Sequence, residues 1–157
     1  MNRLVLIDTQ NFFHRAFYAY PMALTIPGGD PINAVFGFAS MLLALAEELK
    51  PTHLAAADES EKELVFRQIE FPEYKATRVP KSPEEQAAFD AQLPKLNEFL
   101  AAAGIARLVA EGFEADDVIG TVAKQAISNK PGRDREIATP AKGGIAISEV
   151  IVASNDR

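Results

Sequence analysis

Short apolar runs alternate with stretches of helical periodicity along the chain. Residues 4–7 (Leu4, Val5, Leu6, Ile7) are apolar without a break, the pattern of a strand buried on both faces of a parallel sheet. Residues 33–49 carry apolar side chains at 35, 36, 38, 39, 42, 43, 45, 46 and 49, a helical spacing closed by Lys50-Pro51. Residues 53–57 read as a second strand. Ser82-Pro83-Glu84-Glu85 has the spacing of a capping box with proline in the first turn, and predicts a helix running to Gly104 that Pro94 kinks or restarts midway. Residues 106–110 read as a third strand, 115–127 as an amphipathic helix, and 150–153 as a fourth strand. Strands alternating with helices predict an α/β fold on a parallel sheet. Two stretches break the rhythm. Residues 59–81 are polar and charged with Pro72 and Pro80, and read as a long surface excursion. Residues 128–146 hold Pro131, Gly132, Pro140, Gly143 and Gly144, and read as a flexible insertion.

The acids fall where such a sheet places its active sites. Asp8, Asp58 and Asp156 each stand at or just past the end of a predicted strand, at the edge where open parallel sheets bind ligands. Glu114, Asp116 and Asp117 open the helix after the third strand. Singly, each has a plain structural explanation: a turn residue for Asp8, and complementation of the helix dipole for the Glu114–Asp117 group. Together they pose a charge problem. A like-charged pair at about 4 Å costs roughly 4 kcal/mol at an effective dielectric of about 20. Hard divalent cations relieve it, and Mg²⁺ or Mn²⁺, which take oxygen ligands, suit phosphodiester hydrolysis with two ions roughly 3.5–4 Å apart.

Composition narrows the options further. The chain has 157 residues, 48% hydrophobic and 24% charged, which suits one globular domain. Asp8 cuts the first apolar run short of the roughly 20 residues of a membrane span and of the about 7–15 of a secretion signal, so a cytoplasmic location is expected. There is no cysteine, so a metal must sit on oxygen or on His14 or His53. Neither histidine has ligand spacing, and both are assigned structural or surface roles. The formal charge of −6 is the wrong sign for binding nucleic acid by bulk electrostatics. Basic residues would have to be concentrated locally, and residues 62–81 do this with five (62, 67, 75, 78, 81) against three acids. Among the aromatics near the N-terminus, Phe12, Phe13, Phe17, Tyr18 and Tyr20 could stack on an unpaired base, and most of them are expected in the core. Tyr20, beside Pro21 and the Gly28-Gly29 loop, is the one placed to stack on an unpaired base.

Several ordered motifs match a known family. Asp8-Thr9-Gln10-Asn11-Phe12-Phe13-His14-Arg15-Ala16-Phe17-Tyr18-Ala19 resembles the opening of the 5′ nuclease domain found at the N-terminus of bacterial DNA polymerase I. Asn33-Ala34-Val35-Phe36-Gly37-Phe38 is similar to that domain's next helix, and Lys50-Pro51-Thr52-His53 to the approach to its second strand. Phe66-Arg67, Tyr74-Lys75-Ala76-Thr77-Arg78 and Pro80 resemble the basic stretch before the family's helical arch. Gly112-Phe113-Glu114-Ala115-Asp116-Asp117-Val118-Ile119-Gly120 is the most specific of the matches. Thr9 stands where the family usually has glycine, and Ala57-Asp58 replaces its usual phenylalanine–aspartate pair.

The resemblance implies a PIN-like parallel sheet flanked by helices, a two-metal site for Mg²⁺ or Mn²⁺, and hydrolysis of 5′-flap, nicked or 5′-ended DNA in replication and repair. Asp8, Asp58, Glu114, Asp116, Asp117 and Asp156 would be the metal-binding and catalytic acids. Arg15, Tyr20, Arg67, Lys75, Arg78 and Lys81 would contact DNA. A polymerase domain would share the parent chain, in the bacterial cytoplasm at the nucleoid. The family pattern continues past Arg157 into further acids and a helix–hairpin–helix region. Residues 1–157 are therefore expected to be the N-terminal part of one such domain and a poor nuclease alone. The alternatives are a non-catalytic DNA-binding fragment and a small PIN-type ribonuclease.

Overall fold

The computed structural model describes residues 2–59, 81–128 and 147–154. The expected excursion at 59–81 and insertion at 128–146 lie almost wholly outside the described residues. Four strands, β1 (Arg3–Asp8), β2 (His53–Asp58), β3 (Ala106–Val109) and β4 (Glu149–Ala153), form one sheet in the order β3-β2-β1-β4, with every neighbouring pair parallel. Five helices are described: α1 (Thr9–Ala19), α2 (Asn33–Leu49), α3 (Pro83–Asp90), α4 (Leu93–Ala102) and α5 (Ala115–Ser128). The sheet is PIN-like in form, parallel and flanked by helices.

Side chains alternate across the sheet, and two cores result from that alternation. Val5, Ile7 and Ala56 face α1, α2, α3 and α4, packing with Phe13, Phe17, Phe38, Phe89, Leu96 and Leu100. Leu6, Ala55 and Ala57 face α5, packing with Ala115, Val118 and Ile119. The small alanines of β2 let helices approach both faces closely. The helices after β1 and β2 cover the first face and the helix after β3 covers the second. The chain therefore reverses direction between β3 and β4, and β4 pairs with the opposite edge of β1. That reversal creates a topological switch point at the C-terminal ends of β1 and β4, the position where open parallel sheets bind ligands.

Local signals explain most of the boundaries. The capping box forms as expected, with Ser82 Oγ accepting from Glu85 N–H and Glu85 accepting from Ser82 N–H, each at 3.1 Å. Of the kink or restart expected near Pro94, the structure has the restart, and the helix from Ser82 is two. It breaks at Ala91-Gln92, so that Pro94 falls in the first turn of α4, where its missing N–H costs nothing. The break serves a buried polar network. Gln92 is fully buried; its amide donates to Asn33 Oδ1 (3.0 Å) and Ala88 O (3.1 Å) and accepts from Ala34 N–H (2.9 Å). Asn33, equally buried, donates to Phe17 O and Tyr20 O. α2 has no side-chain cap of its own, so Gln92 satisfies a first-turn amide from a distant element. No described helix is long and apolar enough to cross a membrane.

Candidate active site at the C-terminal edge of the sheet

β1 ends in Asp8, which is also the N-cap of α1: its Oδ1 accepts from Asn11 N–H at 2.9 Å. The strand therefore passes into the helix without a loop, and the carboxylate is held at the sheet edge, only 8% exposed. Its other oxygen, Oδ2, accepts from Ser154 Oγ at 3.5 Å, across the switch point from the end of β4. Asp8 follows the parity of Leu6 and pairs in register with Ala57, so it belongs to the α5 side of the sheet.

On the same side, a turn delivers the second group of acids. Gly112 adopts φ +77°, a conformation that favours glycine, and Phe113 N–H donates back to Ala110 O at 3.2 Å. Glu114 comes next, 4% exposed, immediately before α5. Its backbone N–H donates to Asp117 Oδ2 at 3.3 Å, which caps the helix start from within. Asp117 is half-buried and Asp116 is exposed. Asp8 and the Glu114–Asp117 group thus both belong to the α5 face, at the C-terminal edge of the sheet.

Asp58 does not join them. It shares the parity of Ala56 and lies on the opposite, α1–α4 side. There its Oδ2 meets Arg107 Nη2 at 2.6 Å and its Oδ1 accepts from Glu59 N–H at 3.1 Å. Among the described residues, no three Asp, Glu or His side chains stand close enough together to hold one metal ion. Asp156 lies outside the described residues. The donor chemistry nevertheless fits a hard divalent cation: every available ligand is a carboxylate oxygen, two of them on buried residues, in a chain without cysteine.

Of the residues expected at DNA, Arg67, Lys75 and Arg78 lie outside the described residues. Arg15 is exposed on α1. Lys81 stands over the Phe89 ring, its Nζ 4.2 Å from the centroid. Tyr20 is half-buried, with its ring 5.4 Å from that of Phe36 and lying directly on Gly37, where a Cβ would meet it at 2.6 Å. Of the aromatics near the N-terminus, Phe13 and Phe17 are buried, whereas Tyr18 is 54% exposed. His14 packs against Tyr18 and Phe89, and His53 Nδ1 bonds Thr52 Oγ1, the structural roles expected of both.

Three further residues near the edge gain their meaning only in the fold. Arg107 has a faint signal in the sequence, because a lone arginine inside the apolar run Ile105–Val109 asks for an acid on the neighbouring strand. Ser154 carries none. Thr9, in the position usually held by glycine, is 1% exposed, and its Oγ1 is buried without a hydrogen-bond partner. An unpaired buried hydroxyl costs about 1–3 kcal/mol. Thr9→Val is therefore expected to stabilise the chain by about 1 kcal/mol. Thermal unfolding would register this as a rise of roughly 3 °C. A fall would mean that the hydroxyl is bonded to water.

Comparison with known proteins agrees with this fold. The family model for the N-terminal, resolvase-like domain of 5′-3′ exonucleases matches residues 3–156. DNA polymerase I of Bacillus subtilis is 42% identical over 124 residues, which cover 79% of this chain and 13% of that protein. A 5′-3′ exonuclease of Streptomyces coelicolor is 36% identical over 129 residues, 78% of this chain and 43% of that one. The chain thus spans a small part of its polymerase relatives and under half of the exonuclease. Among solved structures, the T5 5′-exonuclease with divalent metal ions (zinc) bound superposes with a TM-score of 0.52 at 18% identity, covering 81% of this chain and 45% of that one. A bacteriophage T5 flap endonuclease in a pseudo-enzyme–product complex with DNA and metal ions gives 0.53 at 19% identity, covering 78% and 44%. These likenesses carry the fold, and the family match spans nearly the whole sequence: the chain belongs to the 5′-3′ exonuclease family, as its N-terminal, resolvase-like domain.

Proposed function

We propose that this chain forms the catalytic edge of a divalent-metal-dependent 5′ nuclease acting on DNA with 5′ flaps, nicks or 5′ ends. The observation that carries the reading is the arrival of Asp8 and the Glu114–Asp117 group on one face of the sheet at its switch point. Asp8, Glu114, Asp116 and Asp117, together with Asp156 and Asp58, would hold Mg²⁺ or Mn²⁺. A bound ion of this kind supplies charge stabilisation for phosphoryl transfer and lowers the pKa of a water. The chain's own part is to fix the carboxylates: the α1 N-cap orients Asp8, and the Gly112 turn orients Glu114. Arg15, Tyr20 and Lys81, with Arg67, Lys75 and Arg78 of the basic stretch, would grip the DNA and offset the net negative charge. The polymerase relatives support a polymerase domain in the same parent chain, and a bacterial cytoplasmic location goes with this proposal. A second reading, a DNA-binding piece without catalysis, is favoured by the lack of a three-carboxylate group among the described residues.

A thermal shift with Mn²⁺ separates the two readings. At free Mn²⁺ of about 100 times its dissociation constant, binding stabilises the fold by about 2.7 kcal/mol. That corresponds to a rise of roughly 8 °C. Asp116→Asn is expected to lose most of this shift. Equal shifts in wild type and variant would place the ion elsewhere.

A further inference from the structure

Arg3, Lys95 and Arg107 each meet a carboxylate, that of Glu149, Asp30 and Asp58 respectively, whereas Lys81 meets a ring. Lys81 is half-buried, with its ammonium over the face of Phe89 and Nζ 4.2 Å from the centroid. Among the described residues no carboxylate is paired with it, in a chain with 22 acids against 16 lysines and arginines. The capping box turns Glu85 back onto Ser82 N–H and leaves Lys81 to the ring. The two kinds of partner differ in what they leave behind. A carboxylate positions a cation and neutralises it, whereas the negative face of a ring positions it and leaves the charge intact. The ring itself is fixed. Phe89 is buried, edge-to-face with Phe13 (4.8 Å) and Phe17 (5.3 Å) of α1, with His14 at 6.2 Å. Lys81 is thus held at both ends, by the capped Ser82 along the backbone and by Phe89 at the ammonium. Phe13 and Phe17 follow Asp8 on α1, which puts this cluster roughly 8–14 Å along the helix from that carboxylate.

We propose that Phe89 is a positioning residue for DNA: it holds the Lys81 ammonium ready as a fixed phosphate contact beside α1. The inference rests on the DNA-binding reading above and assigns a role to a buried ring that touches no DNA itself. Lys81 is the last basic residue of the 62–81 stretch, at the point where that stretch meets the start of α3. A lysine free in solvent gives up much rotamer freedom on gripping a phosphate, and one already seated has less to lose. The intact charge matters as much as the position. With a net charge of −6, phosphate contacts depend on cations that the chain's own acids do not quench.

The test is fluorescence anisotropy of a labelled 5′-flap DNA over a range of salt, for the chain, Lys81→Ala, Phe89→Leu and the double substitution. Lys81→Ala is expected to weaken binding and to reduce the salt slope by about 0.7–0.9, the signature of one phosphate contact. Phe89→Leu keeps the charge, so the slope should hold while affinity falls about threefold, the scale of one cation–π contact. In the Lys81→Ala background the same change should alter affinity less than about 1.5-fold. Should Phe89→Leu fail to fold, a ring-fluorinated phenylalanine at position 89 keeps the shape but weakens the negative face, and should lower affinity about twofold. Unchanged affinity in the ring variant overturns the proposal, as does an equal loss with and without Lys81, which a purely packing role would give. An unchanged slope in Lys81→Ala overturns it too, while binding by that variant leaves the DNA reading standing. No binding by the wild type at low salt removes the DNA reading and this inference with it.

Discussion

Replacing Gln92 by leucine is expected to lower the melting temperature by roughly 10 °C, although the side chain touches none of the acids. The residue is fully buried, and every polar atom of its amide is bonded. Leucine fills a similar volume but leaves Asn33 Oδ1 and the Ala34 N–H without partners inside the core. Each orphaned group costs about 1–3 kcal/mol, and two of them together about 4 kcal/mol. Because the network joins the end of α1, the start of α2 and the α3–α4 junction, the loss falls on the first face of the sheet. Differential scanning calorimetry measures it directly. A drop under about 2 °C would mean that water replaces the amide in the variant.

The proposed function gives Asp8 a second job beside its N-cap, and two substitutions separate them. Asparagine is as good an N-cap as aspartate, so Asp8→Asn should leave the metal-free stability within about 0.5 kcal/mol of wild type. Alanine removes the bond to Asn11 N–H and should cost about 1 kcal/mol. Both should abolish the Mn²⁺-dependent stabilisation of about 2.7 kcal/mol, because both remove the charged ligand. Thermal unfolding of each variant with and without Mn²⁺ gives the four numbers needed. Retention of the Mn²⁺ shift by Asp8→Asn would remove Asp8 from the ligand set.

How much of the fold is legible in the sequence depends on how local each signal is. The strands, α2, α5 and the Ser82 capping box are set by residues within a turn or two of each other, and periodicity or capping chemistry shows them. The switch-point edge is legible too, because Asp8 and Glu114 mark the ends of a strand and of a turn. The rest depends on partners far apart in the chain. Pro94 marks the break locally, but its placement at Gln92 depends on Asn33 and Ala34, 59 and 58 positions away. The side of the sheet that Asp58 occupies depends on the β1–β2 register, since one residue of slip exchanges the faces. Acids at one edge are therefore legible while their division between two faces is not. Arg107 is hard to read for the same reason, as its meaning comes from a strand 49 residues earlier.

The central claim, a metal-dependent 5′ nuclease centred on the Asp8–Glu114 face, is tested most directly by single-turnover cleavage of a 5′-flap DNA. The chain would be in excess over the substrate, with Mn²⁺ or with chelator. From a chain expected to be a poor nuclease alone, the account predicts slow but Mn²⁺-dependent release of the flap, absent with chelator, and slowed further by about two orders of magnitude or more in Glu114→Gln, as the loss of several kcal/mol of charge stabilisation requires. Cleavage that survives the chelator, or that Glu114→Gln leaves unchanged, would contradict it.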